Sequence, residues 1–249
     1  MLAITDNPYA DAWQALGRTL PRPRAIVAVS AHWFGPGTAV TAQARPQTIH
    51  DFGGFPRALF EVQYPAPGDP TLAQRLVELL APQTAVRLSE DWGLDHGSWS
   101  VLRHLYPAAD IPVVQLSLDA RQSPDWHFAL GRRLAPLRDE GVLLLGSGNL
   151  VHHLGRVEWR DNAPPHPWAS SADQWFAERI AARDFDALCR ISDFDAAARL
   201  AVPSPDHYLP LLHVLGASDE HDRISFPIEG IDLAAISMRS CLCQPGVNR

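Results

Sequence analysis

Apolar residues fall along this chain in two spacings. Ala25-Ile-Val-Ala-Val-Ser30 and Gly141-Val-Leu-Leu-Leu-Gly146 are apolar at successive positions, the pattern of strands covered on both faces in a largely parallel sheet. Ile111-Pro-Val-Val-Gln-Leu-Ser-Leu118 reads as a third strand opening at a proline, and residues 38–44 alternate as a fourth. Elsewhere the period lengthens. Leu72, Leu76, Leu79 and Leu80 recur at helical intervals within 70–82, and helices are also predicted over 9–18, 101–106 and 126–138. Strand and helix in alternation predict an α/β chain: one domain over residues 1–249, its largely parallel central sheet flanked by helices on both faces.

The second half reads differently. Residues 169–200 are helical in composition with a break near Ser192-Asp193, and a helix over 207–215 follows the Pro203-Ser-Pro205 turn. Residues 224–228 and 234–238 are strand candidates, and Cys241 and Cys243 fall in what reads as a frayed C-terminus.

Composition narrows the function classes. With 46% hydrophobic and 20% charged residues in 249, the chain has enough apolar surface to build a core. A net charge of −7 with 21 scattered Lys and Arg speaks against nucleic acid as a partner. No run approaches the ~18 apolar residues of a membrane helix, and no signal-peptide pattern opens the chain. Three cysteines are an odd number and make no disulfide framework. A cytoplasmic protein with no membrane partner is expected.

The chemistry concentrates in 11 histidines. Gly-x-Ser-x-Gly, Walker, Gly-x-Gly-x-x-Gly and His-Glu-x-x-His motifs are absent, and the cysteines lack zinc-ribbon spacing. In open α/β sheets ligands bind at the carboxyl ends of strands. His32 follows the strand ending at Ser30. His152 follows the strand ending near Leu145, after Gly146 and Gly148, which would let the backbone turn sharply toward a ligand. His96 lies in Asp95-His-Gly-Ser-Trp99 and His207 in Pro205-Asp-His-Tyr-Leu-Pro210, at a helix start. Taken singly, a loop histidine is more often a surface or hydrogen-bonded residue. His50, His104, His127, His153, His166, His213 and His221 are read in that way.

Six segments together narrow this further: residues 21–33 ending in Ser-Ala-His-Trp, Ile49-His-Asp-Phe-Gly-Gly-Phe-Pro56, Tyr64-Pro-Ala-Pro-Gly68, Trp92-Gly-Leu-Asp-His-Gly-Ser-Trp99, Gly146-Ser-Gly-Asn-Leu-Val-His152, and Pro205-Asp-His-Tyr-Leu-Pro-Leu-Leu212. In this order and spacing the chain resembles the class III (LigB-type) extradiol dioxygenases of the 4,5-DOPA dioxygenase branch, from about Pro8 to Met238. The resemblance implies an oxidoreductase that opens the ring of a catechol such as DOPA with molecular oxygen. Its cofactor would be one divalent metal, Zn(2+) or Fe(2+). His32 and His207 would be metal ligands, His152 the acid/base beside the metal or a further ligand, and His96 a second pocket histidine facing substrate or oxygen. Near neutral pH an imidazole suits the proton transfer such a diol requires.

The family also carries an initial strand ending in a Gly/Ser-His-Gly-Ser-Pro loop, whose histidine is the remaining ligand and which has no counterpart ahead of Met1. This predicts a gap or exposed edge beside the 25–30 strand and a weakened metal site. Two alternatives stay open on the same scaffold, a zinc-dependent hydrolase and a catalytically impaired metal-binding protein.

Overall fold

The computed structural model describes residues 3–160 and 162–246. In chain order the elements are α1 (Pro8–Thr19), β1 (Ala25–Gly35), β2 (Thr38–Thr41), α2 (Arg57–Phe60), α3 (Pro70–Leu80), β3 (Val86–Ser89), α4 (His96–Leu105), β4 (Val113–Asp119), α5 (Pro124–Leu134), α6 (Pro136–Asp139), β5 (Val142–Ser147), α7 (Pro167–Ala181), α8 (Phe185–Cys189), α9 (Ala196–Ala201), α10 (Leu209–Gly216), β6 (Asp222–Ile228), β7 (Ile231–Asp232), β8 (Ile236–Ser237) and β9 (Ser240–Pro245). This is the α/β domain expected. Within it lie two compact units, one of Met1–Arg121 with Arg133–Ser147 and one of Gln122–Arg132 with Gly148–Arg249.

The first unit holds a five-stranded sheet in the order β3-β2-β4-β1-β5. Its neighbours run parallel except at β2 and β4, which meet antiparallel at Val40 and Leu116. The successive apolar residues of β1 and β4 explain their place: Ala25 to Val29 and the whole of β4 are buried, as strands covered on both faces must be. The gap expected beside residues 25–30 is not there. Ile26 pairs with Val113 on one side and Leu143 on the other, so the backbone groups of β1 are satisfied on both flanks. Among the described residues the sheet edges fall at β3 and β5 instead.

Three local differences from the expected elements have simple causes. β4 begins at Val113 rather than at residue 111, because Pro112 has no N–H for the ladder. α4 begins at His96, five residues earlier than expected, because Asp95 caps it by accepting from Ser98 N at 3.1 Å. β3, Val-Arg-Leu-Ser, is too short and polar to show as a strand in sequence and is recruited by parallel pairing with β2.

In the second unit α7 buries Ala169, Ala172, Asp173, Phe176, Ala177 and Ile180, one helical face. The buried Asp173 carboxylate is not orphaned. It accepts from Arg239 Nη2 at 2.6 Å and from Ser237 Oγ at 2.6 Å. The tail is ordered rather than frayed: Cys241 and Cys243 lie in β9, which pairs antiparallel with β6. Among the described residues no helix is long and apolar enough to cross a membrane.

Candidate metal and catalytic residues

His32 does not follow β1 but sits inside it, at an irregularity. Pairing with β4 runs regularly to Val29–Leu116 and resumes at Phe34–Leu118, so Ser30 to Trp33 stand opposite Ser117 alone. Such bulges re-aim side chains beside active sites. Two other segments converge on the ring of His32. The 47–51 loop is tied to the start of α4 by Leu94 N to Gln47 O at 2.7 Å, Ile49 N to Leu94 O at 2.9 Å and Trp99 Nε1 to Ile49 O at 2.9 Å. That tie carries Asp51 to His96, whose backbone N–H donates to Asp51 Oδ1 at 2.9 Å.

The three side chains form one cluster. The rings of His32 and His96 stack with centroids 3.8 Å apart and 15° between planes. His32 Nδ1 lies 3.5 Å from Asp51 Oδ2, and His96 Nδ1 lies 2.9 Å from Asp51 Oδ1. One ligand atom from each residue falls within 4.8 Å of the other two. Two imidazoles and a carboxylate are a donor set that divalent first-row metals accept, so these residues fit the metal that the sequence resemblance implies. Burial pulls the Asp51 carboxyl upward, but the hydrogen bonds and charges of His96, with the charge of His32, outweigh it and leave the group below its ordinary value. It is an anion at neutral pH.

A glycine makes the close approach possible. Gly97 N donates to His32 Nδ1 at 3.1 Å, and a Cβ at Gly97 would meet Ser30 Oγ at 2.5 Å and His32 Nδ1 at 2.9 Å. Behind the cluster Asp95 is fully buried and 4.0 Å from His32 Nδ1. Burial raises the Asp95 carboxyl, and the Asp51 charge adds to the rise against hydrogen bonds from Ser30, Ser98 and Gln115. An aromatic wall stands beside His96. The Phe52 ring meets it edge-on at 5.1 Å and packs on Phe60 at 4.9 Å and Phe55 at 5.6 Å. Phe55 and Phe60 are 36% and 38% exposed, an apolar surface open to a flat ligand.

The second unit brings the other two expected histidines together. The rings of His152 and His207 stack at 3.5 Å between centroids, 6° from parallel. Gly148 again permits the approach, though to backbone rather than ligand: its Cβ would meet the His207 carbonyl oxygen at 2.2 Å, and Asn149 N donates to that oxygen at 2.9 Å. His207 Nδ1 is hydrogen-bonded to the Asp206 carboxylate. This holds the proton on Nδ1 and leaves Nε2 with a lone pair, the arrangement of metal-ligating histidines. Burial raises the Asp206 carboxyl, but hydrogen bonds from His207 and Ser204 win and hold it down to about 2. His152 is pushed down to about 4, first by burial and then by the charge of His207. It is therefore neutral across the physiological range.

Asp51 and Asp206 are candidate carboxylates that sequence reasoning passed over. Each adjoins a histidine, in His50-Asp51 and Asp206-His207, and a carboxylate next to an imidazole was the available signal. The histidines read as surface or hydrogen-bonded residues lie in varied surroundings. His50 Nε2 is 3.0 Å from Val62 O, and His166 Nε2 is 2.9 Å from Arg156 O. His104 stacks on Trp13. His213 is buried in α10 with its ring 5.1 Å from His127, and burial, reinforced by the His127 charge, pushes it down to about 3.

Comparison with known proteins places this geometry in context. The family model described as the catalytic LigB subunit of aromatic ring-opening dioxygenase matches residues 7–234. A protein of Escherichia coli (strain K12) named 4,5-DOPA dioxygenase extradiol is 52% identical over 243 residues, covering 96% of this chain and 89% of that one. A protein of the same name from Beta vulgaris is 37% identical over 234 residues, 90% of this chain and 85% of that one. The crystal structure of an uncharacterized protein from Escherichia coli K12 matches with a TM-score of 0.84 at 48% identity, over 96% of this chain and 93% of that one.

Proposed function

Because the chain belongs to the LigB family of aromatic ring-opening dioxygenases and is an extradiol ring-cleaving enzyme, we propose that it opens DOPA or a closely related catechol with molecular oxygen, using Fe(II). The observation that carries this reading is the cluster of His32, Asp51 and His96 set against half-buried Phe52 and the exposed Phe55 and Phe60. Metal donors beside a flat apolar surface suit an aromatic ring bearing adjacent hydroxyls.

His32 supplies one metal nitrogen in this proposal. Asp51 and His96 complete a three-residue donor set in the first unit, and His207 is the ligand implied by its own segment, with Nε2 prepared by Asp206. When bound, the metal supplies Lewis acidity toward the diol and the redox path between ring and oxygen. Zinc has no redox chemistry, which is why Fe(II) is proposed for turnover. His152 accepts a proton from the diol as it is deprotonated, a role open to it because burial keeps its imidazole neutral. Phe52 orients the ring by edge and face contacts.

The test is anaerobic removal of metal, reloading with Fe(II) or Zn(II), then addition of oxygen and DOPA. A yellow ring-opened semialdehyde with oxygen uptake is expected from the Fe(II) form and none from the Zn(II) form. Product release from the Zn(II) form without oxygen consumption would replace this reading with the hydrolase.

A further inference from the structure

A further pair of chemistry-bearing side chains has no part in the site above. Cys241 and Cys243 occupy alternate positions of β9, and residues two apart in a strand point to the same face. Their sulfurs are 4.0 Å apart. Both residues are half-buried and neither forms a disulfide, so a small oxidant can reach them. We propose that Cys241 and Cys243 are a redox-sensitive dithiol that closes reversibly to an intrastrand disulfide when the enzyme meets hydrogen peroxide.

The backbone allows closure but resists it. Two strand residues apart, the Cα separation is about 6.6 Å, near the upper end of the roughly 4.4–6.8 Å range that a disulfide spans. The partner strand supplies local slack. Pairing of β6 with β9 is regular from Asp222 to Ser225 and then shifts, so that Phe226 and Pro227 stand opposite Cys241 alone. Pro227 has no N–H to hold that position in the ladder. β9 can therefore bend at Cys241 with little loss of pairing. A bond formed under such geometry is strained and readily reduced, the property of a labile rather than a structural disulfide.

The chemistry balances without further components. A thiolate of the pair attacks one oxygen of hydrogen peroxide; an S–O bond forms, the O–O bond breaks, and hydroxide leaves to be protonated as water. The second sulfur then attacks the sulfenic sulfur; the S–S bond forms, the S–O bond breaks, and the second water leaves. The two sulfurs together lose two electrons and the peroxide gains them. The hydrogen bond to the neighbouring Cys243 sulfur, and then burial, raise the Cys241 thiol, so that one thiol stays protonated beside the other and can donate to it. Cys189 is the internal control, for it is buried where Cys241 and Cys243 are only half-buried.

The experiment treats the full-length, metal-free enzyme with a small excess of hydrogen peroxide, alkylates the remaining thiols and maps tryptic peptides. Cleavage after Arg239 isolates a peptide carrying both cysteines. Expected is a peptide two hydrogens lighter and unalkylated, restored to two alkylated thiols by dithiothreitol, while Cys189 stays alkylated throughout. In Cys243→Ser the same treatment should leave a sulfenic acid at Cys241 that a dimedone probe captures. The proposal is overturned if the wild-type peptide keeps two alkylatable thiols, gains oxygen atoms instead, or crosslinks to Cys189 or to a second chain.

Discussion

Asp206 holds the Nδ1 proton of His207, and the His207 ring lies face to face with that of His152 at 3.5 Å. One carboxylate thereby sets the tautomer of one imidazole, and burial keeps the other neutral. The pairing makes the carboxylate testable.

Asp206→Ala should lower metal affinity by about 10- to 100-fold, the usual effect of losing a carboxylate that orients a ligating histidine. Asp206→Asn, whose amide oxygen still accepts from Nδ1, should recover part of the loss. Metal titration of the stripped protein measures both. Equal affinity in all three forms would remove His207 from the donor set.

His152→Ala should reduce kcat by two to four orders of magnitude, about the contribution of a positioned general base, with KM for the catechol changed only a few-fold. The split follows because a base is needed in the transition state more than in the bound ground state. Steady-state kinetics on the Fe(II) form decide it, and a purely KM effect would reassign His152 to substrate binding.

Gly97→Ala should cost about 1–3 kcal/mol of stability, together with most of the activity. Its Cβ would stand 2.9 Å from His32 Nδ1 and 2.5 Å from Ser30 Oγ. Gly53→Ala is the control, since a Cβ there meets nothing within 4 Å. Thermal unfolding and turnover of both variants should separate them, with Gly53→Ala near wild type.

Acid should unfold the protein partly through His213. Its imidazole is held down to about 3 in the fold against 6.5 in the unfolded chain, so the folded state carries it neutral. The unfolded state takes up a proton first as pH falls. The stability due to neutral His213 is therefore complete above about pH 6.5 and is lost between there and about pH 3, by at most about 1.4 kcal/mol per pH unit. Denaturant unfolding of wild type and His213→Leu between pH 7 and 4 measures this, and the variant should show the shallower slope.

Much of the architecture was legible because burial on both faces leaves a simple mark. Ala25 to Val29 is an apolar run buried on both faces, whereas the equally apolar Val142 to Leu145 lies in the edge strand β5 with only Val142 fully buried, and the leucines of α3 repeat at the helical period because Leu72, Leu76 and Leu80 are buried. β3 and β9 left no such mark. Their residues are half-exposed or polar, and their strand conformation comes from pairing with β2 and β6, which local preference does not encode.

The site divides along the same line. The sequence by itself singled out His32, His96, His152 and His207 as candidates, since each sits in a punctuated segment whose order and spacing resemble those of the ring-opening dioxygenases. Only the tertiary structure decided their company. The irregularity in β1 and the approach at Gly97 set His32 against His96 and Asp51, and the approach at Gly148 allows His207 to stack on His152. Distances between residues remote in sequence are fixed by backbone packing and by where a missing Cβ lets two segments close. A motif names the side chain but carries no record of the segment that folding lays beside it.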